Sequence, residues 1–229
     1  MSQLDFSSIL PSLNFLFARG MMTTLAITAV AAVVGMGIGT VLAVMRLSPR
    51  TWLSVPAAFY VNTMRSIPLL LIIFWFYFLM PYVGAWIVGS PYPVKVGAFR
   101  AALVSFSLFE AAYFAEIVRS GIQSIPSGQV AAGRAVGLTE FQILRYVVLP
   151  QAIRNMIPPL LLRILILFQD TSLVYVVSLT DFLGAATVVG QRDGRLTEMY
   201  LFVAAVYFVI CFTVSKLVKH LEIRLKVVR

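Results

Sequence analysis

The sequence predicts an all-α integral membrane protein, on three observations. Of its 229 residues, 60% are hydrophobic and only 12% charged, where a soluble domain carries roughly twice that share of charge. Mean hydropathy is +0.93. The apolar residues fall in uncharged runs long enough to cross a bilayer as helices, separated by basic or Pro/Gly-rich breaks. About five spans and a single membrane domain, residues 1–229, follow.

The net charge of +9 and pI of about 10.1 would suggest nucleic acid in a soluble protein. Here the basic residues flank apolar runs, so the positive-inside bias accounts for them and no nucleic-acid partner is expected. The single cysteine, Cys211, lies inside an apolar run and makes neither an intrachain disulfide nor a cysteine metal cluster. No metal site is expected. The N-terminal stretch lacks the basic region of a signal peptide, so the first apolar run is expected to stay as an anchor.

Residues 1–20 are expected to form a short interfacial helix, ending at Arg19-Gly20, with Leu10, Leu13, Phe15 and Phe17 on the bilayer surface. Met21 to Met45 is uncharged and forms the first span, with Gly35, Gly37 and Gly39 allowing close helix approach. Arg46 and Arg50 follow, placing that end in the cytoplasm and the N-terminus outside. Thr51 to Met64, carrying Pro56 and Asn62, reads as an interfacial or partly inserted helix. The second span runs from about Ser66 to Met80. Pro81, Pro91 and Pro93 with Gly84 and Gly89 mark an extracytoplasmic loop, and Trp75, Tyr77, Tyr82, Trp86 and Tyr92 suit the interfacial aromatic belt.

The third span, about Phe99 to Val118, contains Glu110 and Glu116. Six residues apart, they lie far from one helix face, so they form no paired acid/base site. Glu116, near the cytoplasmic end, is expected to be solvated or paired with Arg119. Glu110 is the candidate for a buried role, structural or in the substrate path. The fourth span, about Asn155 to Leu179, carries Arg163 and Asp170. A polar loop with Gln191-Arg192-Asp193-Gly194-Arg195 follows; it either meets an outside partner or is a solvated turn. The last span, about Met199 to Ser215, continues into a basic cytoplasmic tail with Lys216, Lys219, His220, Arg224, Lys226 and Arg229, which should cling to anionic lipid.

Between the third and fourth spans lies a basic insert, about residues 120–154, longer than a connector needs. Ser124 to Gly128 is a turn. Gln129 to Val136 forms a short helix of small residues and Gly137 stops it. Thr139 opens a second helix, with Gln142 completing a capping box and Phe141, Leu144, Val147 and Val148 as its apolar face, ended by Leu149-Pro150. Such a pair of helices could dock a cytoplasmic partner or contact only lipid.

The run GQVAAGRAVGLTEFQILRYVVLPQAIRNMIPPL resembles the cytoplasmic coupling loop of permease subunits of ATP-binding-cassette (ABC) importers. Ala131-Ala132-Gly133 stands at that family's Glu-Ala-Ala positions, Gly137 at its glycine, and Val147-Val148-Leu149-Pro150 at its end. Ala131 replaces the acidic residue, so that residue's polar contacts do not carry over. The polar amino-acid subgroup is closer: Arg65-Ser66-Ile67-Pro68-Leu69-Leu70, Tyr113 to Ile122, and Phe168-Gln169-Asp170-Thr171-Ser172-Leu173-Val174-Tyr175 resemble its motifs in order. Overall the chain is most similar to glutamate/aspartate importer membrane subunits.

The resemblance implies a type I importer permease in a bacterial inner membrane. Gly128, Ala131, Ala132, Gly133, Gly137, Leu149 and Pro150 would couple to a partner ATPase. It also implies a second permease subunit, identical or not, and an extracytoplasmic amino-acid-binding protein. The sequence has no Gly-x-x-x-x-Gly-Lys-Ser/Thr loop to cradle nucleotide, so this chain binds no cofactor and ATP belongs to the partner subunits. It is not expected to be an enzyme by itself.

For substrate, Arg163 and Asp170 share a helix face two turns apart and offer charges complementary to an amino acid. Against this, Arg163 could snorkel toward the cytoplasm and Asp170 could bond a neighbouring helix. Thr171 and Ser172 would help satisfy Asp170 or the backbone. Two other functions stay open: a membrane scaffold for a cytoplasmic enzyme, and an ion-coupled carrier working alone.

Overall fold

The structure, a computed structural model, describes residues 4–225; Lys226 and Arg229 of the basic tail lie outside the described residues. Among these, five helices are long and apolar enough to cross a membrane: Ile9–Leu47 (α1), Leu69–Val88 (α3), Ala98–Gln123 (α4), Glu140–Val177 (α6) and Leu196–Leu225 (α8). Three shorter helices join them: Thr51–Ser66 (α2), Ser127–Ala135 (α5) and Phe182–Asp193 (α7).

The most buried span is α4, and the others pack around it. Its residues are small where a helix must come close: Ala101, Ala102, Ser105, Ala111, Ala112 and Ala115 are all buried. The α1–α4 contact is the most extensive in the fold. It depends on Gly35 and Gly39, spaced so that both lie on one face. A Cβ on Gly39 would stand 2.8 Å from the Ala111 carbonyl oxygen and from Phe114 Cβ, and one on Gly35 3.0 Å from Glu110 Cβ. Gly37 takes no part; a Cβ there meets nothing, because two residues on is the opposite face of a helix.

Three apolar clusters hold the arrangement. Ile27, Ile72, Ile73, Phe106, Phe109 and Leu167 join α1, α3, α4 and α6. Leu16, Phe168, Phe182, Met199 and Val203 join α1, α6, α7 and α8. Ala43, Val61, Ala112, Val118 and Met156 join α1, α2, α4 and α6. Large apolar side chains point outward along the spans, including Val33, Phe78, Trp86 and Phe208, as lipid solvation permits.

Four boundaries and one helix geometry differ from the sequence expectation. Residues 9–20 are not a separate interfacial helix. A π-helical segment, Phe15–Met21, carries the chain through Arg19-Gly20 into the span, and Leu16 and Met21 are buried against α7. Pro81 does not begin the loop; α3 continues to Val88 and ends at Gly89, φ 66°. Leu149-Pro150 does not end a helix. A second π segment, Ile143–Val148, runs straight into residues 149–170, so the second insert helix and the fourth span form one rod of 38 residues. Pro150 sits within the first turn after the π segment, where the displaced bonding tolerates its missing N–H.

The fourth span also narrows to a 3-10 segment, Thr171–Val177. Finally, the stretch before Gly194 is helical, not loop. Asp181 accepts from the Leu183 and Gly184 N–H groups to start α7, while Gly194, φ 69°, makes the expected turn.

Candidate functional site

Two groups of side chains stand out, one buried between spans and one at the tip of the insert. In the first, Glu110 is wholly buried on α4 and meets Arg163 of α6 through two parallel hydrogen bonds: Nε donates to Oε2 at 2.7 Å and Nη2 to Oε1 at 2.5 Å. This is the fork geometry in which guanidinium and carboxylate satisfy one another most fully. The guanidinium carbon also lies 3.8 Å from the centroid of the Tyr113 ring, a second favourable contact for a desolvated cation.

Asp170 approaches the same guanidinium at 3.8 Å and stays partly exposed. Arg163 therefore does not snorkel toward the cytoplasm. The buried carboxylate one helix away outcompetes interfacial water, because an unpaired charge here costs several kcal/mol, roughly 3–5. Among the described residues, the ion pair of Asp170 is with Arg163 on its own helix and not with a neighbouring one. The Thr171 hydroxyl donates to the Phe168 carbonyl at 2.7 Å, serving the backbone as helix narrows to 3-10, and Ser172 is half-buried beside it. Fully ionised, the Glu110, Arg163 and Asp170 set carries one surplus negative charge.

The second group is the elbow formed by α5 and the start of α6. Gly133 is buried, with a Cβ there meeting Ile143 Cγ1 at 2.9 Å, so α5 folds back onto the rod at that glycine. Gly137, φ 83°, turns the chain in a conformation that other residues adopt at a cost of roughly 1 kcal/mol or more. The capping box is present: Gln142 N–H donates to Thr139 Oγ1, and Thr139 N–H donates to Gln142 Oε1. Arg134 pairs with Glu140 across the bend at 2.7 Å.

Ala131, Ala132, Gly128 and Pro150 are exposed and Leu149 half-buried. The expected apolar face of the second helix is only partly buried. Val148 packs inward beside Ile143 and Val147 is half-buried, whereas Phe141 is 67% and Leu144 42% exposed; Val136, at the end of α5, is 76% exposed. The elbow thus presents Val136, Phe141 and Leu144 beyond a stripe of small side chains.

A third cluster escaped the sequence reading. Glu116 pairs with Arg119 as expected, but also with Arg46 of α1, and Arg65 of α2 lies 3.8 Å away. Three helices are thus clasped at the elbow's end of the molecule. The available signal was the arginine closing each of α1 and α2 at the depth of a lone carboxylate. At the opposite end, Arg192 pairs with Asp193 and Arg195 with Asp5, at 2.7 and 2.5 Å.

Residues 35–227 match the family described as "Binding-protein-dependent transport system inner membrane component". The chain belongs to this family. It is a multi-pass membrane permease subunit of the ABC importer type. Among its relatives, the glutamate/aspartate import permease protein GltK of Escherichia coli O157:H7 is 48% identical over 227 residues, covering 98% of this chain and 99% of that protein. The probable glutamine ABC transporter permease protein GlnP of Bacillus subtilis is 34% identical and covers 90% of this permease and 91% of its own length. Of solved structures, one described as an amino acid ABC transporter with histidines superposes with a TM-score of 0.85 at 32% identity, covering 97% of this chain and 99% of that one. The MetNI methionine ABC transporter, in an inward-facing form, shares the fold at a TM-score of 0.68 and 24% identity.

Proposed function

We propose that this permease carries acidic amino acids, glutamate and aspartate, into the cytoplasm, driven by ATP hydrolysis on partner ATPase subunits. The observation that carries the coupling part is the elbow. Val136 and Phe141 project from a bend that Gly137, the capping box and the Arg134–Glu140 pair hold in shape, and an apolar tip of this kind suits a groove on another protein. The substrate class is supported by the near full-length likeness to a glutamate/aspartate permease.

In this reading the N-terminus lies outside and the C-terminus in the cytoplasm, as the basic residues at the elbow's end and along the last helix favour. A second permease subunit completes the path, and an extracytoplasmic binding protein delivers the amino acid. Of the candidate path residues, Asp170 has the accessible carboxylate and can receive the substrate ammonium. Glu110 holds Arg163 in place, and Thr171 and Ser172 shape the backbone beside it.

The test is uptake by proteoliposomes holding the permease, its ATPase and its binding protein, with a panel of amino acids. ATP-dependent accumulation of glutamate and aspartate over neutral and basic amino acids is expected. Accumulation that persists without the ATPase would instead mark a stand-alone carrier, and docking without transport a scaffold. The elbow is tested separately by Gly137→Arg. This variant should reach the membrane in normal amounts and lose ATPase on co-purification; undiminished co-purification contradicts docking at the bend. Reporter domains fused at Gly137 and Gly194 should read cytoplasmic and external, and the reverse pattern overturns the orientation.

A further inference from the structure

Arg19 is the lone charged residue between Ile9 and Met45, and it lies toward the end opposite the elbow. An ionisable residue in such a run usually has a function. Unlike Arg192 and Arg195, which are paired, its guanidinium makes no ion pair or hydrogen bond among the described residues. It lines an open cleft of about 590 Å³ with Met22, Thr23, Phe99, Ser178 and Thr180.

Two backbone features hold Arg19 there. It lies in the π-helical segment Phe15–Met21, a distortion often found at functional sites. The adjoining Gly20 packs so closely on α7 that a Cβ would stand 2.8 Å from Ala185 Cβ and 3.0 Å from the Asp181 carbonyl oxygen. Across the cleft, Ser178 has φ 59°, and no other non-glycine among the described residues has a positive φ. Strain of this kind persists where the surrounding structure enforces it, commonly at ligand sites.

We propose that Arg19 determines specificity at the outer mouth of the path, where its guanidinium receives a carboxylate of the incoming acidic amino acid and the Ser178 and Thr180 hydroxyls add hydrogen bonds. This rests on the functional reading above and deepens it. Fully ionised, the Glu110, Arg163 and Asp170 set carries one surplus negative charge, so it suits the substrate ammonium and leaves the substrate carboxylates without a free cationic partner. A free cation in the outer cleft supplies that attraction.

The experiment places Arg19→Cys in a Cys211→Ser permease within the complete reconstituted complex and follows radiolabelled glutamate uptake. Unmodified, uptake should fall about tenfold, the factor associated with one charge-assisted hydrogen bond, while ATPase co-purification is unchanged. An aminoethyl thiosulfonate restores a cation that carries N–H donors and should recover most of the loss; the neutral methyl reagent and the anionic sulfonatoethyl reagent should not. The same reagents on the complex that retains Arg19 control for other cysteines. Recovery with the neutral reagent, or undiminished uptake by Arg19→Gln, overturns the role of Arg19 alone. If the unsubstituted complex takes up no acidic amino acid, the functional reading itself fails.

Discussion

Arg163→Met is expected to abolish uptake and sharply lower the amount of folded permease recovered from membranes. The substitution strands Glu110, whose carboxylate has no exposed surface and whose hydrogen-bond donors both belong to Arg163. Losing one member of a buried pair costs roughly 3–5 kcal/mol, a large share of the roughly 5–15 kcal/mol that separates folded from unfolded states of a typical domain. The companion Glu110→Gln/Arg163→Met removes both charges and should return the yield toward normal, since two neutral groups of similar shape carry no stranded ion. Yield by fluorescence-detected size exclusion distinguishes the cases. If single and double variants are equally depleted, the pair does not act as a unit.

Gly39→Leu should be nearly as damaging, through shape alone. Even the first atom of a side chain would stand 2.8 Å from backbone oxygen on α4, and neither helix can yield without moving the other. Overpacking of a well-fitted contact costs typically 1–3 kcal/mol, and here the clash is with main chain, so the upper end applies. Helix α1 must then separate from α4 and loosen its hold on the Glu116 clasp. Gly37→Leu is the matched control, since that position faces open space, and it should leave melting temperature and uptake unchanged. Equal loss in both variants would falsify the close-approach account.

The spans were legible because hydrocarbon sets their length and disfavours charge; all five appear where long apolar runs do, although the third carries Glu110 and the fourth Arg163 and Asp170. The elbow was legible through Gly137 and the Thr139–Gln142 spacing, both local signals. Where helices stop was less so. Arg19-Gly20, Pro81 and Leu149-Pro150 look like breaks, yet π-helical segments and neighbouring spans carry the chain past the first and last. In a membrane, an unpaired backbone group is too costly for a break that packing can avoid.

The partner of Arg163 was hidden for a different reason. Glu110 lies 53 positions away, and no periodicity links two helices that only tertiary packing brings together. Likewise the outward turn of Phe141 was masked by its apolar character, which suits a buried face and a docking face equally.

Phe141 and Asp170 stand on one continuous helical rod, roughly 45 Å apart at about 1.5 Å per residue. Such a shaft transmits torque as well as thrust, and its two ends are locked in angular phase. Each residue advances the helix by about 100°, so the π segment at Ile143–Val148, which holds an extra residue in its turn, fixes the azimuth at which the carboxylate faces the path. Adding or removing one residue there would leave both ends intact yet aim them in different directions.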